Sequence, residues 1–216
     1  MKLTLDPPWL VADFERPLRI VSWALNRPGF LTANRIVWRE VRNADLPEGF
    51  DAEAWFREEL ATAGQAEAIG FLTSRDIRRH TRARAETGGV TAEAIATIGL
   101  SNAERVGSRL SQHHETAGTI NIAVVLSAGL SDAALLEGLS IAAEARTAAV
   151  ITHGPTLPSG PATGTGTDCI AVAAPTAGPK APHAGKHTEI GEVLGRAVLD
   201  AVTRGVKEWM KETGGG

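Results

Sequence analysis

Thr163, Gly164, Thr165, Gly166, Thr167 and Asp168 alternate hydroxyls with bare backbone and end on one acid, just before Cys169 and an apolar run, Ile170 to Ala174. Glycine admits a ligand close to the main chain. The threonine hydroxyls and backbone N–H groups can hold amides or phosphates. The competing reading is a tight turn in which Asp168 caps its own backbone. Loops of this kind carry function when a rigid scaffold presents them.

A second cluster follows, with Gly185, Lys186, His187, Thr188, Glu189 and Glu192 at the start of a helix. Gly-Lys at a helix N-terminus resembles the end of a phosphate-binding P-loop. Here Lys180 stands where the first glycine belongs and His187 where a Ser or Thr should follow the lysine, which argues against an NTPase. An anion or polar group at those N–H groups is still compatible with the pattern. The bland alternative is a solvated Lys186 and a Thr188 that only caps the helix.

The remaining reactive side chains form no strong motif. His183 and His187 have the i, i+4 spacing of two metal ligands, but Pro182 and Gly185 oppose a helix there. His113, His114 and Glu115 sit in a polar stretch, and a zinc site needs three or four convergent ligands. No metal is therefore expected. Cys169 follows Asp168, whose charge raises a thiol pKa, so structural burial is favoured over nucleophilic use. Arg75, Arg78, Arg79, Arg82 and Arg84 lack interleaved aromatics, so nucleic-acid binding is not expected. Trp9, Trp23, Trp38, Trp55 and Trp209 fall mostly on core-like positions; one could stack on a flat ligand, without the sequence choosing which.

The elements that must position these groups begin with strands. Trp9 to Phe14, Leu18 to Leu25 and Arg35 to Val41 are short, apolar and separated by turn residues such as Asn26 to Gly29. Asp51 caps a helix to about Thr62. Ala68 to Thr73, Thr91 to Leu100 and Thr119 to Leu126 read as further strands. Ser131 caps a helix to about Arg146, and Val150 to Thr152 reads as a short strand. The last helix, Thr188 to about Lys211, has an apolar stripe at the 3.6 period. Successive strands followed by helices give an α+β fold: a single domain over residues 1–213 of mainly antiparallel sheet layers covered by helices, with a long C-terminal helix and a frayed glycine tail.

With 216 residues, one cysteine and a formal charge of −3, the chain has the size for one core and no global drive toward nucleic acid or an anionic membrane. The single cysteine excludes an intramolecular disulfide framework. The first ten residues lack a signal-peptide pattern, and no apolar run approaches the ~18 residues of a membrane span. A soluble cytoplasmic protein, with homo-oligomerisation open, is expected.

Several segments occur together and in order: Ile20-Val21-Ser22, Gly70 to Thr73, Gly99 to Ala103 with Ser101 and Asn102, Gly118 to Ile122 with Asn121, Glu144 to Ala149, the Thr/Gly/Asp loop and Gly185 to Thr188. In this the chain resembles the adenosylcobinamide amidohydrolase family. It departs at Asn26 to Gly29, where a Gly-Gly turn is usual, at Ser74-Arg75, where small residues are usual, and at Arg146, where lysine is common.

The resemblance implies hydrolysis of the amide joining the aminopropanol arm of adenosylcobinamide to the corrin ring, giving adenosylcobyric acid and 1-amino-2-propanol in corrinoid salvage. The rival class is a non-catalytic corrinoid-binding protein. Corrinoid would be substrate rather than cofactor. Ser101, Asn102, Asn121, Thr163, Gly164, Thr165, Gly166, Lys186 and Thr188 would hold the amide-rich corrin edge. Asp168 or Glu189 would act as base on a water and His187 would carry the proton to the amine. Backbone N–H groups of Gly164 to Thr167, or of the helix start at Thr188, would hold the oxyanion. A covalent route through Thr165, Thr167 or Ser101 is equally open.

Overall fold

A computed structural model describes residues 1–42, 49–108 and 118–214. The main strands are β1 (Lys2–Asp6), β2 (Trp9–Ser22), β3 (Gly29–Glu40), β4 (Ile69–Thr73), β5 (Thr81–Thr87), β6 (Val90–Ile98), β7 (Ile120–Leu126) and β8 (Cys169–Pro175). The helices are α1 (Ala52–Thr62), α2 (Asp132–His153) and α3 (Glu189–Glu212). The strands form one 8-stranded sheet in the order β4-β3-β2-β8-β7-β6-β5, with β1 also on β2. Ladders β3–β4 and β7–β8 are parallel and the others antiparallel. The α+β expectation holds.

The first two expected strands are one strand. β2 runs through a register shift between Asp13 and Leu18, where Glu15 takes a φ of 57°. The Asp13 carboxylate accepts the Glu15 N–H at 2.8 Å, which stabilises that bulge. The crease folds the sheet over itself. Leu10, Phe14, Ile36, Trp38, Ile69 and Phe71 from the first half pack against Ile95, Ala123, Ala171 and Ala173 from the second. A separate core joins the outer face of the second half to α2 and α3. A smaller one joins Val37 to Phe56 and Leu60 of α1. The layers therefore run α1, sheet, sheet, α2 with α3. A Cβ at Gly70 would collide with the Phe56 ring, so glycine permits the seating of α1 on β4.

Each helix begins where a cap dictates. Asp51 accepts from the Ala54 N–H, Ser131 from Ala134 and Thr188 from Gly191, at 2.9, 3.1 and 3.0 Å. The stripe Ile190, Val193, Leu194, Ala197, Val198, Ala201, Val202 and Val206 is buried on the sheet.

Residues 150–152 depart from expectation: they form the last turns of α2, not a strand. Ala142 to Ala149 carries the helix through, Val150 is buried, and the helix stops at Gly154 before Pro155. No strand was expected at β5. Its Thr81, Ala83 and Ala85 face inward, while Arg82 and Arg84 face solvent, which splits the basic run. Among the described residues, no helix is long and apolar enough to cross a membrane.

Candidate active site

Asp168 ends the Thr/Gly loop and enters β8, and its side chain is only 6% exposed. One carboxylate oxygen accepts the Ile120 N–H at 3.1 Å and the Thr165 hydroxyl; the other accepts the Thr165 N–H at 3.1 Å and pairs with Arg146 of α2. These donors fill the roughly four acceptor sites of a carboxylate. The turn-capping reading of Asp168 therefore describes its local geometry. Burial pulls Arg146 below the usual arginine range, and the Asp168 carboxylate beside it is its ion-pair partner. Gly164 makes this possible, because a Cβ there would collide with both Arg146 and Asp168.

In front of Asp168 opens a hollow of about 350 Å³. Thr73, Ser74, Thr119, Asn121, Thr167 and Asp168 are its polar lining; Trp23, Leu25, Val41, Phe71 and Leu72 are its apolar lining. The polar lining is cross-linked. The Asn121 amide donates to the Leu72 carbonyl at 2.6 Å, joining β7 to β4 across the two sheet layers. Thr119 Oγ1 donates to the Thr167 carbonyl at 2.9 Å, and Thr167 Oγ1 to the Gly118 carbonyl at 3.0 Å. Gly118 in turn lies against Ser101 and Asn102: a Cβ on it would sit 2.9 Å from the Ser101 nitrogen. The Asn102 Oδ1 is buried with no hydrogen-bond partner among the described residues. The loops bearing Ser101, Asn102, Thr167 and Asp168 thus converge on the start of β7, where Asn121 lies.

Thr163, Gly164 and Thr165 line a second hollow of about 320 Å³ with Glu104, Arg105, Arg146 and Thr147. Here the Thr163 N–H donates to the Glu104 carbonyl, and Thr163 Oγ1 accepts from Val106, at 2.8 and 2.7 Å. Gly166 is exposed, with open space around it.

The residues at the start of α3 lie elsewhere. The Glu189 carboxylate rests against Gly88, in the turn joining β5 to β6. In the ladder between β6 and β7, Ile98 faces Ile120 and Ala92 faces Leu126. Asp168 is bonded at Ile120, whereas the Gly88 turn lies beyond Ala92. Six strand residues separate them, about 20 Å at ~3.4 Å each. Thr188 Oγ1 donates to the Gly185 carbonyl at 2.8 Å and accepts from Gly191. Lys186 pairs with Glu144 on α2, and His187 is exposed. Glu189 therefore lies at the opposite end of these strands from Asp168.

Cys169 lines the hollow, but burial pushes its thiol up to about 12, so it is not a thiolate nucleophile at neutral pH. No group of three or more His, Cys, Asp or Glu among the described residues is placed to hold a metal. His113, His114 and Glu115 lie outside the described residues.

Trp23, Thr73, Ser74, Thr119 and Arg146 are among the site residues that sequence reasoning did not assign. Trp23 is 44% exposed at the rim, and its indole N–H donates to the Asp168 carbonyl at 2.7 Å. Its place directly after Ile20-Val21-Ser22, and that of Ser74 directly after Gly70 to Thr73, were the available signals.

A family model described as adenosylcobinamide amidohydrolase matches residues 2–214. A Methanosarcina mazei protein named adenosylcobinamide amidohydrolase is 31% identical over 178 residues, covering 76% of this chain and 81% of that one. Among solved structures, a Pyrococcus horikoshii protein aligns with a TM-score of 0.49 at 11% identity, over 91% of this chain and 76% of that one. An L-aminopeptidase D-Ala-esterase/amidase from Ochrobactrum anthropi, described as a variant of the Ntn hydrolase fold, aligns with a TM-score of 0.43 at 13% identity, over 94% and 76%.

Proposed function

Because the chain belongs to the adenosylcobinamide amidohydrolase family, and so acts on an amide bond, we propose that it cleaves the amide between the corrin ring and the aminopropanol arm in the hollow before Asp168. The products are adenosylcobyric acid and 1-amino-2-propanol, and the reaction serves corrinoid salvage in the cytoplasm. The observation that carries this placement is a lining of hydroxyl, amide and carboxylate groups beside large apolar side chains, of which Trp23 and Leu25 stay 44% exposed. An arm and its amide need the first, and a macrocycle left outside needs the second. At about 350 Å³, the hollow sits at the small end of the roughly 300–1,000 Å³ range for drug-sized ligands, and a whole corrinoid does not enter it.

In this reading Asn121, Thr119 and Thr167 orient the substrate amide. Asp168 is the charged group beside it. The Thr165 hydroxyl is the donor to Asp168 free to rotate away, which opens one carboxylate oxygen to a water attacking the carbonyl carbon. Arg146 pairs with the carboxylate and holds it in place. Asp168 takes the proton of the attacking water and passes it to the nitrogen of the leaving amine as the C–N bond breaks. His187 and Glu189 take no part, and Thr188 and Lys186 serve the start of α3.

The test is incubation of the purified protein with adenosylcobinamide, following products by mass spectrometry. Release of adenosylcobyric acid and aminopropanol supports the reading. Corrinoid binding with no product, with or without added metal, would replace it with a corrinoid-binding protein.

A further inference from the structure

A substrate too large for its hollow needs a surface outside it, and few side chains at this rim are suited to a flat ring. Trp23 and Leu25 both line the hollow and are both 44% exposed. Large exposed apolar side chains grouped beside a pocket mark a contact surface more than isolated ones do. Tryptophan combines a broad apolar face with one polar handle. Here that handle is already engaged: the indole N–H is held by the Asp168 carbonyl at 2.7 Å, which fixes one edge of a side chain that stays 44% exposed. The same bond ties the ring to the main chain between Thr167 and Cys169, which lines the hollow.

We propose that Trp23 is the platform on which the corrin macrocycle lies, and that its bond to the Asp168 carbonyl transmits that contact to the reacting loop. This rests on the hollow being the amidohydrolase site. Trp23 is a positioning residue: it contacts the part of the substrate that does not react. Binding energy from such a part raises turnover only when it is used to fix geometry at the reacting centre, and the indole–carbonyl bond provides that link.

The proposal separates the ring's two roles. Trp23→Phe keeps an aromatic face and loses the N–H. Trp23→Ala loses both. The readouts are kcat and KM for adenosylcobinamide, and the Kd of adenosylcobyric acid, which carries the macrocycle without the arm. Trp23→Phe is expected to keep Kd within about twofold and to lower kcat about tenfold, the size of one hydrogen bond lost from an organised site. Trp23→Ala is expected to raise Kd at least about tenfold, in line with flat rings stacked on aromatic side chains.

If Trp23→Ala binds adenosylcobyric acid as tightly as the wild type, the platform is refuted. If Trp23→Phe turns over at the wild-type rate, the link to the loop is refuted. Wild-type protein that yields no product would refute the amidohydrolase reading of the hollow. The binding readout would still decide whether Trp23 carries the ring.

Discussion

The Asp168–Arg146 pair should prove asymmetric. Arg146→Met removes the cation, but Asp168 keeps the Ile120 and Thr165 N–H groups and the Thr165 hydroxyl. Asp168→Asn leaves the Arg146 guanidinium, 16% exposed, with a weak 3.5 Å contact to the Ala143 carbonyl among the described residues. It also presents one acceptor oxygen where two were in use. Breaking a buried pair from one side costs about 3–5 kcal/mol; the retained donors put Arg146→Met near 3 and the stranded cation puts Asp168→Asn near 5. A chain of this length loses roughly 2–4 °C of melting midpoint per kcal/mol. Thermal unfolding followed by circular dichroism should therefore fall about 6–12 °C for Arg146→Met and about 10–20 °C for Asp168→Asn. Equal losses, or the reverse order, would show that the carboxylate's backbone partners do not hold it as described.

Three further outcomes are expected. Cys169 should resist iodoacetamide at neutral pH in the folded protein, and Cys169→Ala should retain turnover; because its thiol pKa is raised from 9.0 to about 12, the stability it contributes is complete below pH 9 and is lost as pH rises toward 12. Thr188→Ala removes the α3 cap and should cost about 1 kcal/mol, seen as a small drop in melting midpoint with kcat unchanged. Arg75 holds Glu212 below its ordinary value of 4.5, so this contribution is present above that pH and is lost as pH falls through the folded value; Glu212→Gln should flatten that part of an acid-unfolding curve.

What the sequence disclosed depended on how local each signal was. The α3 stripe and the caps Asp51, Ser131 and Thr188 could be read because a side chain, its neighbours and the helical period settle them. β5 escaped because its inward residues are Thr81, Ala83 and Ala85, too small to make a visible alternation beside four arginines and a histidine. Val150 to Thr152 looked like a strand because β-branched residues favour one locally, whereas tertiary packing against the sheet carries the helix through them. The site divided in the same way. Ser101, Asn102, Asn121, Thr167 and Asp168 meet because the starts of the parallel neighbours β7 and β8 lie beside the end of the antiparallel β6. His187 and Glu189 have equally suggestive chemistry, but α3 starts at the far end of those strands, which only the topology reveals. Trp23 reads as another core tryptophan until the fold leaves it at the rim.

The central claim is that amide hydrolysis occurs in the hollow before Asp168 and not at the start of α3. Its most direct test compares adenosylcobinamide turnover, by mass spectrometry of the products, in Thr167→Val, His187→Ala and Glu189→Gln, with melting midpoints as the control for folding. The account predicts a fall of at least about tenfold for Thr167→Val, the scale of one lost hydrogen bond to the reacting amide, and turnover within about twofold of wild type for the other two. Full activity in Thr167→Val together with collapse in His187→Ala or Glu189→Gln would contradict it and move the reaction to the other end of the sheet.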